Sequence, residues 1–339
     1  MYFIICEGNM RKYRKLKIFG IVLLVITVFF VVINVIPPTK VMSYNPFIST
    51  GDKPMLCAHR GGSISNPENT LKAYKSAVSE YGVDILETDL WMTKDGHLVL
   101  NHDETINRTS DVEVMMDSDK KYKIEQFTLA ELQNFNFGYN FKDENGNYPY
   151  KELVNDKTPN RKEIIKNNDL SIVEIDDLFE YFYKDHKDLL FIVEIKNPGK
   201  LGYQACNILD DLLTNYYPQY KNRVVIGTFH NEIEQCLKNE HDSLLRGAST
   251  GVAKKFIITQ LLKVNLFDND KFSCLQVPTS QGLDLTWDTY IKRAHRRNIA
   301  VQYWTINDEA QMRKLISKKC DAIMTDDPGL LRKVLNETI

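Results

Sequence analysis

None of the six cysteines, Cys6, Cys57, Cys206, Cys236, Cys274 and Cys320, stands in a Cys-x-x-Cys pair or at metal-ligand spacing, which argues against a cysteine-held metal. Cys6 precedes the long apolar run described below and five cysteines follow it. That odd number predicts no disulfide framework, and Cys57 and Cys274, set in strand-like runs, read as small buried hydrophobes. No long basic block follows residue 17, so nucleic-acid binding has no electrostatic support. No Gly-x-Gly-x-x-Gly turn follows the first strand of the soluble part, which weakens a doubly wound dinucleotide-binding sheet. With 43% hydrophobic and 26% charged side chains in 339 residues, the remainder is ordinary globular composition, enough for one large domain or two small ones.

The net charge of −2 hides an asymmetry. Residues 1–17 carry Arg11, Lys12, Arg14, Lys15 and Lys17 against Glu7 and form a basic tail, and residues 18–36 are apolar apart from Gly20, Thr27 and Asn34. As a helix those 19 residues span about 28 Å, the thickness of a bilayer core. Pro37, Pro38, Thr39 and Lys40 follow without a small-x-small cleavage site, which favours a retained transmembrane anchor over a cleaved signal peptide. Cations stay on the cytoplasmic side, so a single-pass protein in the cell membrane is expected, its N-terminus cytoplasmic and its bulk extracytoplasmic. Residues 37–54 lack periodic pattern and read as a linker.

From residue 55 to 339, strand-like and helix-like segments alternate eight times, the pattern and size of a (β/α)8 barrel. The alternation pauses at about 104–174, far beyond a normal connection, so that stretch is an insertion after the second strand. Its aromatics, Phe127, Phe135, Phe137, Tyr139, Phe141, Tyr148 and Tyr150, suit a small subdomain core better than a substrate path.

In a barrel the chemistry lies where strands end. The first strand runs into His59, Arg60, Gly61 and Gly62, followed by Pro67, Glu68, Asn69 and Thr70, of which Thr70 reads as a helix cap. In the second, Glu87 and Asp89 are two apart and project to one face. Two such carboxylates repel unless a hard divalent cation sits between them. The chain turns at Lys94, Asp95 and Gly96 and returns to deliver His102. Glu194 and Lys196 end the third strand, again two apart, after an apolar run that would bury them. Later strands end in Trp304 and Asn307, and in Thr325, Asp326, Asp327 and Pro328.

These motifs, H-R-G-G with P-E-N-T, E-T-D with T-K-D-G and N-H-D, V-E-I-K, W-T-I-N and T-D-D-P, resemble in order and spacing the glycerophosphodiester phosphodiesterase family, over residues 55–339. The resemblance implies a TIM barrel that hydrolyses glycerophosphodiesters to glycerol 3-phosphate and an alcohol with one divalent cation, Ca²⁺ or Mg²⁺. Carried over by position, it makes Glu87, Asp89 and Glu194 metal ligands and His59 and His102 the catalytic pair. Arg60, Lys196, Glu68 and Trp304 fall at substrate and phosphate positions. Thr228 stands where serine is usual, a conservative departure.

Three carboxylates, a divalent cation, a phosphodiester monoanion and two basic side chains sum to zero formal charge. One histidine can take the nucleophile's proton while the other protonates the departing alkoxide, and which does which is left open. The resemblance suggests the glycerol 2-hydroxyl as first nucleophile, through a cyclic phosphate. Substrates compatible with the sequence are a soluble glycerophosphodiester, a lysolipid or a glycerol-phosphate polymer. Alternatives are a phospholipase D-like enzyme on lysolipids or sphingolipids and a catalytically inactive, membrane-tethered binding barrel. His97, His186, His230, His241 and His295 read as surface or structural, His230 least firmly.

Overall fold

The computed structural model describes all residues except 1, 37, 39, 265–267, 269 and 339, with side chains from residue 12 onward. A single helix, α1 (Tyr2–Val35), takes in both the basic tail and the apolar run, since nothing between them breaks a helix. The soluble part then runs β1 (Met55–Ala58), α2 (Leu71–Tyr81), β2 (Ile85–Met92) and β3 (Leu98–Leu100). Short helices α3 (Val112–Met115), α4 (Leu129–Leu132) and α5 (Arg161–Asn167) occupy the expected insertion. Regular alternation resumes with α6 (Ile175–Tyr183), β4 (Leu190–Ile195), α7 (Gly199–Asp211), β5 (Val224–Gly227), α8 (Asn231–Glu240), β6 (Leu245–Arg246) and α9 (Thr250–Leu261). It ends with β7 (Cys274–Val277), α10 (Asp288–Arg296), β8 (Ala300–Tyr303), α11 (Glu309–Ser317), β9 (Ala322–Thr325) and α12 (Pro328–Glu337).

The parallel strands are near-continuous apolar runs because both faces are covered. They pair in the order β6-β5-β4-β2-β1-β9-β8-β7, and a parallel bridge between Gly247 and Cys274 joins the two ends. The result is an eight-stranded (β/α)8 barrel, as expected. The return strand β3 lies outside the ring, antiparallel to β2. Local signals set the helix ends: Thr70 caps α2 by accepting from the Ala73 amide at 3.3 Å, and Gly82, in the left-handed region, ends it.

Two apolar layers hold the barrel. The outer one lies between strands and helices, and the inner one is built from Cys57, Ile85, Ile192, Val225, Cys274 and Ala300 with their neighbours. Phe47, fully buried, belongs to the inner layer. The segment expected as a linker is therefore packed over part of its length, and Phe47 closes the barrel base, a burial that contributes about 2–3 kcal/mol. A separate core joins the insertion to the β2–β3 hairpin through Val99, Ile106, Val112, Leu132, Phe135 and Phe137. The described cysteines, Cys57, Cys206, Cys236, Cys274 and Cys320, are free and buried; Cys6 lies outside the described side chains.

Candidate active site

The pocket opens at the C-terminal ends of the strands, and eight of the nine residues singled out from sequence line it: His59, Arg60, Glu87, Asp89, His102, Glu194, Lys196 and Trp304. The ninth, Glu68, stands behind Arg60, whose Nη1 donates to it at 3.2 Å. None of the seven insertion aromatics lines this pocket.

Backbone register assembles the acidic cluster. β2 and β4 pair with Asp89 beside Glu194, and Glu87 precedes Asp89 by two on the same face. One oxygen from each of Glu87, Asp89 and Glu194 falls within 4.8 Å of the others. Burial and the Asp89 charge push Glu87 up to about 7. Burial also raises Glu194, with Lys196 opposing. Asp89 is instead held below its usual value: burial opposes this, but Lys196 and Arg60 prevail. Lys196 Nζ lies 3.0 Å from Asp89 and 2.8 Å from Glu194. Arg60 Nε approaches Asp89 at 3.4 Å, while the Arg60 amide donates to Glu87 at 2.9 Å.

That last contact depends on the loop after β1, where Arg60 (φ 52°), Gly61 (φ 82°) and Gly62 (φ 90°) all take positive φ. A Cβ on Gly61 would fall 2.8 Å from that of Ala73, and one on Gly62 would fall 2.8 Å from Pro328 Cγ. The paired glycines thus press the loop between α2 and α12 and aim His59 inward.

Each pocket histidine is oriented by a carboxylate. His59 Nδ1 meets Asp326 Oδ1 at 2.6 Å and His102 Nδ1 meets Asp103 Oδ1 at 2.8 Å. A carboxylate only accepts, so Nδ1 carries the proton in both rings and Nε2 is the working atom. Their environments diverge. Burial lowers His59, but Glu87 and Asp326 outweigh it and its pKa is raised. Burial together with the Lys196 and Arg60 charges outweighs Asp89 and Asp103 and leaves His102 lowered. Asp326 is held down to about 2, because His59, Asn307 and Ser63 outweigh its burial.

Several contributors were not assigned a role from sequence. Asp326 accepts from Ser63 Oγ at 2.9 Å and Asn307 Nδ2 at 2.7 Å. Asn69, in the left-handed region, donates to Asp89 at 3.1 Å and accepts from Tyr74 at 2.7 Å. Arg108, from the insertion, clasps both Glu68 and Asp103. Phe229 sits edge-on to Trp304 with centroids 6.0 Å apart, and Gln276 of β7 also lines the pocket. Of these, Asp326, Asp103, Asn307 and Asn69 carried a signal, as members of quoted motifs. The other histidines are elsewhere: His97 binds Glu174, His241 binds Asp210 and His295 binds Asp321. His230 buttresses the site from behind, its Nε2 2.9 Å from the Lys196 carbonyl oxygen.

The profile of the Glycerophosphoryl diester phosphodiesterase family matches residues 59–330, which contain every side chain just described. A glycerophosphodiester phosphodiesterase of Bacillus subtilis is 32% identical over 331 residues, 96% of this chain and 99% of its own length. One from Caldanaerobacter subterraneus subsp. tengcongensis is 26% identical over 283 residues, 82% and 96% of the two chains. Among solved structures, a phosphodiesterase of Oleispira antarctica in complex with the product sn-glycerol-3-phosphate shares the fold, with a TM-score of 0.60 at 19% identity over 84% of this chain and 98% of that one. From its first strand end to its last helix, the chain belongs to the glycerophosphoryl diester phosphodiesterase family and is a phosphoric diester hydrolase.

Proposed function

We propose that the protein releases glycerol 3-phosphate from glycerophosphodiesters by paired-histidine catalysis with one divalent cation, Ca²⁺ or Mg²⁺, held by Glu87, Asp89 and Glu194. The observation that carries this reading is the convergence of Glu87, Asp89 and Glu194 within 4.8 Å of one another in a pocket also lined by His59, His102, Arg60 and Lys196. The two histidines shift in opposite directions. Titratable pairs whose surroundings drive them apart divide into acid and base. His102, lowered, is the base, and its Nε2 takes the proton of the attacking hydroxyl. His59, raised, is the acid, and its Nε2 gives a proton to the departing alkoxide. Arg60 and Lys196 hold the free phosphoryl oxygens, and Glu68 keeps Arg60 in place.

The donor set fits the cation. Three carboxylates converge within 4.8 Å, and burial together with the Asp89 charge raises Glu87 to about 7, a cost that a bound cation would relieve. When bound, the cation would supply positive charge to the phosphoryl oxygens as the leaving bond breaks. We further read α1 as a membrane span, since residues 12–35 have a mean hydropathy of 3.0 in their most apolar window and hardly any of that window is buried. The basic tail then stays in the cytoplasm and the barrel lies outside.

Product analysis tests the activity. The purified chain should convert glycerophosphocholine, glycerophosphoglycerol or a glycerol-phosphate polymer to free glycerol 3-phosphate, and excess chelator should abolish turnover until Ca²⁺ or Mg²⁺ is returned. A phosphorylated alcohol with free glycerol, or full turnover in chelator, would sink the assignment.

A further inference from the structure

The route from α1 to the barrel follows the face opposite the pocket and has no slack at its described points. Residues 12–32 of α1 touch little, and Ile33, 5% exposed, is where the helix first packs. Asn34 follows, its Oδ1 accepting from Arg293 at 2.7 and 3.1 Å while its Nδ2 donates to the Lys263 carbonyl at 3.2 Å. Arg296 donates to the carbonyls of Asn34 at 3.2 Å and Ile36 at 3.3 Å. Next, the Val41 amide donates to Arg297 O at 2.8 Å, and Asn45 Nδ2 donates to the carbonyls of Ser273 and Asn298. Phe47 enters the inner layer, and the Ser49 amide donates to Asp321 at 3.0 Å.

Every partner in that series lies at the end of a helix or just before a strand. Lys263 follows α9, Arg293 and Arg296 are in the last turn of α10, and Ser273 and Asp321 precede β7 and β9. In a (β/α)8 barrel those positions form the base, whereas His59, Glu194 and Asp326 belong to the opposite, C-terminal face. Asp89 stands four residues beyond Ile85 of the inner layer, about 13 Å further from the base along β2.

The base also carries an apolar patch at the point of attachment. Ile258, Leu261 and Leu262 at the end of α9 are 54%, 41% and 61% exposed, directly before the Lys263 carbonyl that Asn34 holds. Exposed Lys263 follows it directly, and exposed Arg296 holds the carbonyls of Asn34 and Ile36 beside it. Apolar side chains beside cations, continuous with a helix long enough to cross a bilayer, match the headgroup region of a phospholipid surface.

Resting on the reading of α1 as a membrane span, we propose that the barrel stands base-down on its own bilayer. The end of α9 sits in the headgroup layer and the catalytic mouth points into the aqueous space. The substrate class follows. Diesters that are soluble or borne on a glycerol-phosphate polymer reach the mouth directly. A lysolipid in the same bilayer would have to leave it, acyl chain included, and cross the height of the barrel.

The test uses the full chain, in a Cys6→Ser background, reconstituted into phosphatidylcholine–phosphatidylglycerol vesicles. An environment-sensitive fluorophore is placed at Leu262→Cys on the base or at Leu283→Cys, in the exposed loop after β7 on the mouth side. Spin-labelled lipid should quench the Leu262 probe at least threefold more than the Leu283 probe, and iodide should show the reverse order. Lipid quenching at Leu283, or at neither position while the protein resists carbonate extraction, overturns the orientation and leaves the anchor standing. Release by carbonate overturns the anchor and the orientation together, and turnover of soluble diesters by the released protein leaves the catalytic reading intact. In the same vesicles, glycerophosphocholine should be hydrolysed at least tenfold faster than bilayer-borne lysophosphatidylcholine at equal total concentration. Equal rates would also overturn the proposal.

Discussion

A histidine's work is set by what its other nitrogen touches. His59 and His102 both give Nδ1 to a carboxylate, but His59 faces Glu87 while His102 faces Lys196 and Arg60. The division of labour proposed for them is electrostatic in origin, and a change of leaving group tests it. His59→Ala and His102→Ala should each lower kcat on glycerophosphocholine by about 10²–10⁴, the usual contribution of a general acid or base. With a nitrophenyl diester, whose leaving group needs no proton, His59→Ala should recover most of its loss and His102→Ala should not. Steady-state kinetics on the two substrates decide it, and equal recovery of both variants would refute the assignment. At this scale the sequence was informative wherever spacing is local. Glu87 and Asp89 share a strand face and Glu194 and Lys196 repeat the pattern, so their convergence is visible before any fold is known. The pairing of His59 with Asp326 is not, because the two residues sit at opposite ends of the barrel sequence and meet only when β1 pairs with β9.

Elements cooperate at that same carboxylate. Asp326 lies after β9, and it ties the loop after β1, through His59 and Ser63, to the loop after β8, through Asn307. Since Asp326 helps to raise His59, replacing it with the neutral isostere should lower the pKa of the acid. With His59 as the proposed acid, the rate should fall as pH rises through that pKa. In Asp326→Asn, the alkaline limb of the kcat/KM profile should therefore move to lower pH. A limb that stays in place would show that Asp326 only packs the loop. Strand and helix order was readable from periodicity, because parallel strands covered on both faces are apolar runs and the helices between them are amphipathic. Even β6, only two residues long at Leu245–Arg246, falls inside a strand-like run. One stretch escaped that reading. The part of segment 37–54 that packs under the barrel does so through one buried phenylalanine, the Asn45 side chain and scattered hydrogen bonds, which leave no periodic pattern in sequence.

For the molecule as a whole, a resident cation should act on stability as well as on rate. A ligand that binds only the folded state raises the melting temperature with its concentration. Addition of Ca²⁺ or Mg²⁺ to chelator-stripped protein should raise Tm, while Glu87→Gln and Asp89→Asn should blunt that rise, as followed by calorimetry. An equal rise in the variants would place the ion elsewhere. The ring itself imposes one further condition. Met55 to Ala58 of β1 pair along their length with Ala322 to Thr325 of β9, so the seam is stitched between the first strand and the last. A chain that emerges N-terminus first holds one edge of β1 open until residues 322–325 have been made, and β9 then closes it. Completion of the barrel is thus deferred until β9 has emerged, and no fragment that stops short of β9 can reproduce it.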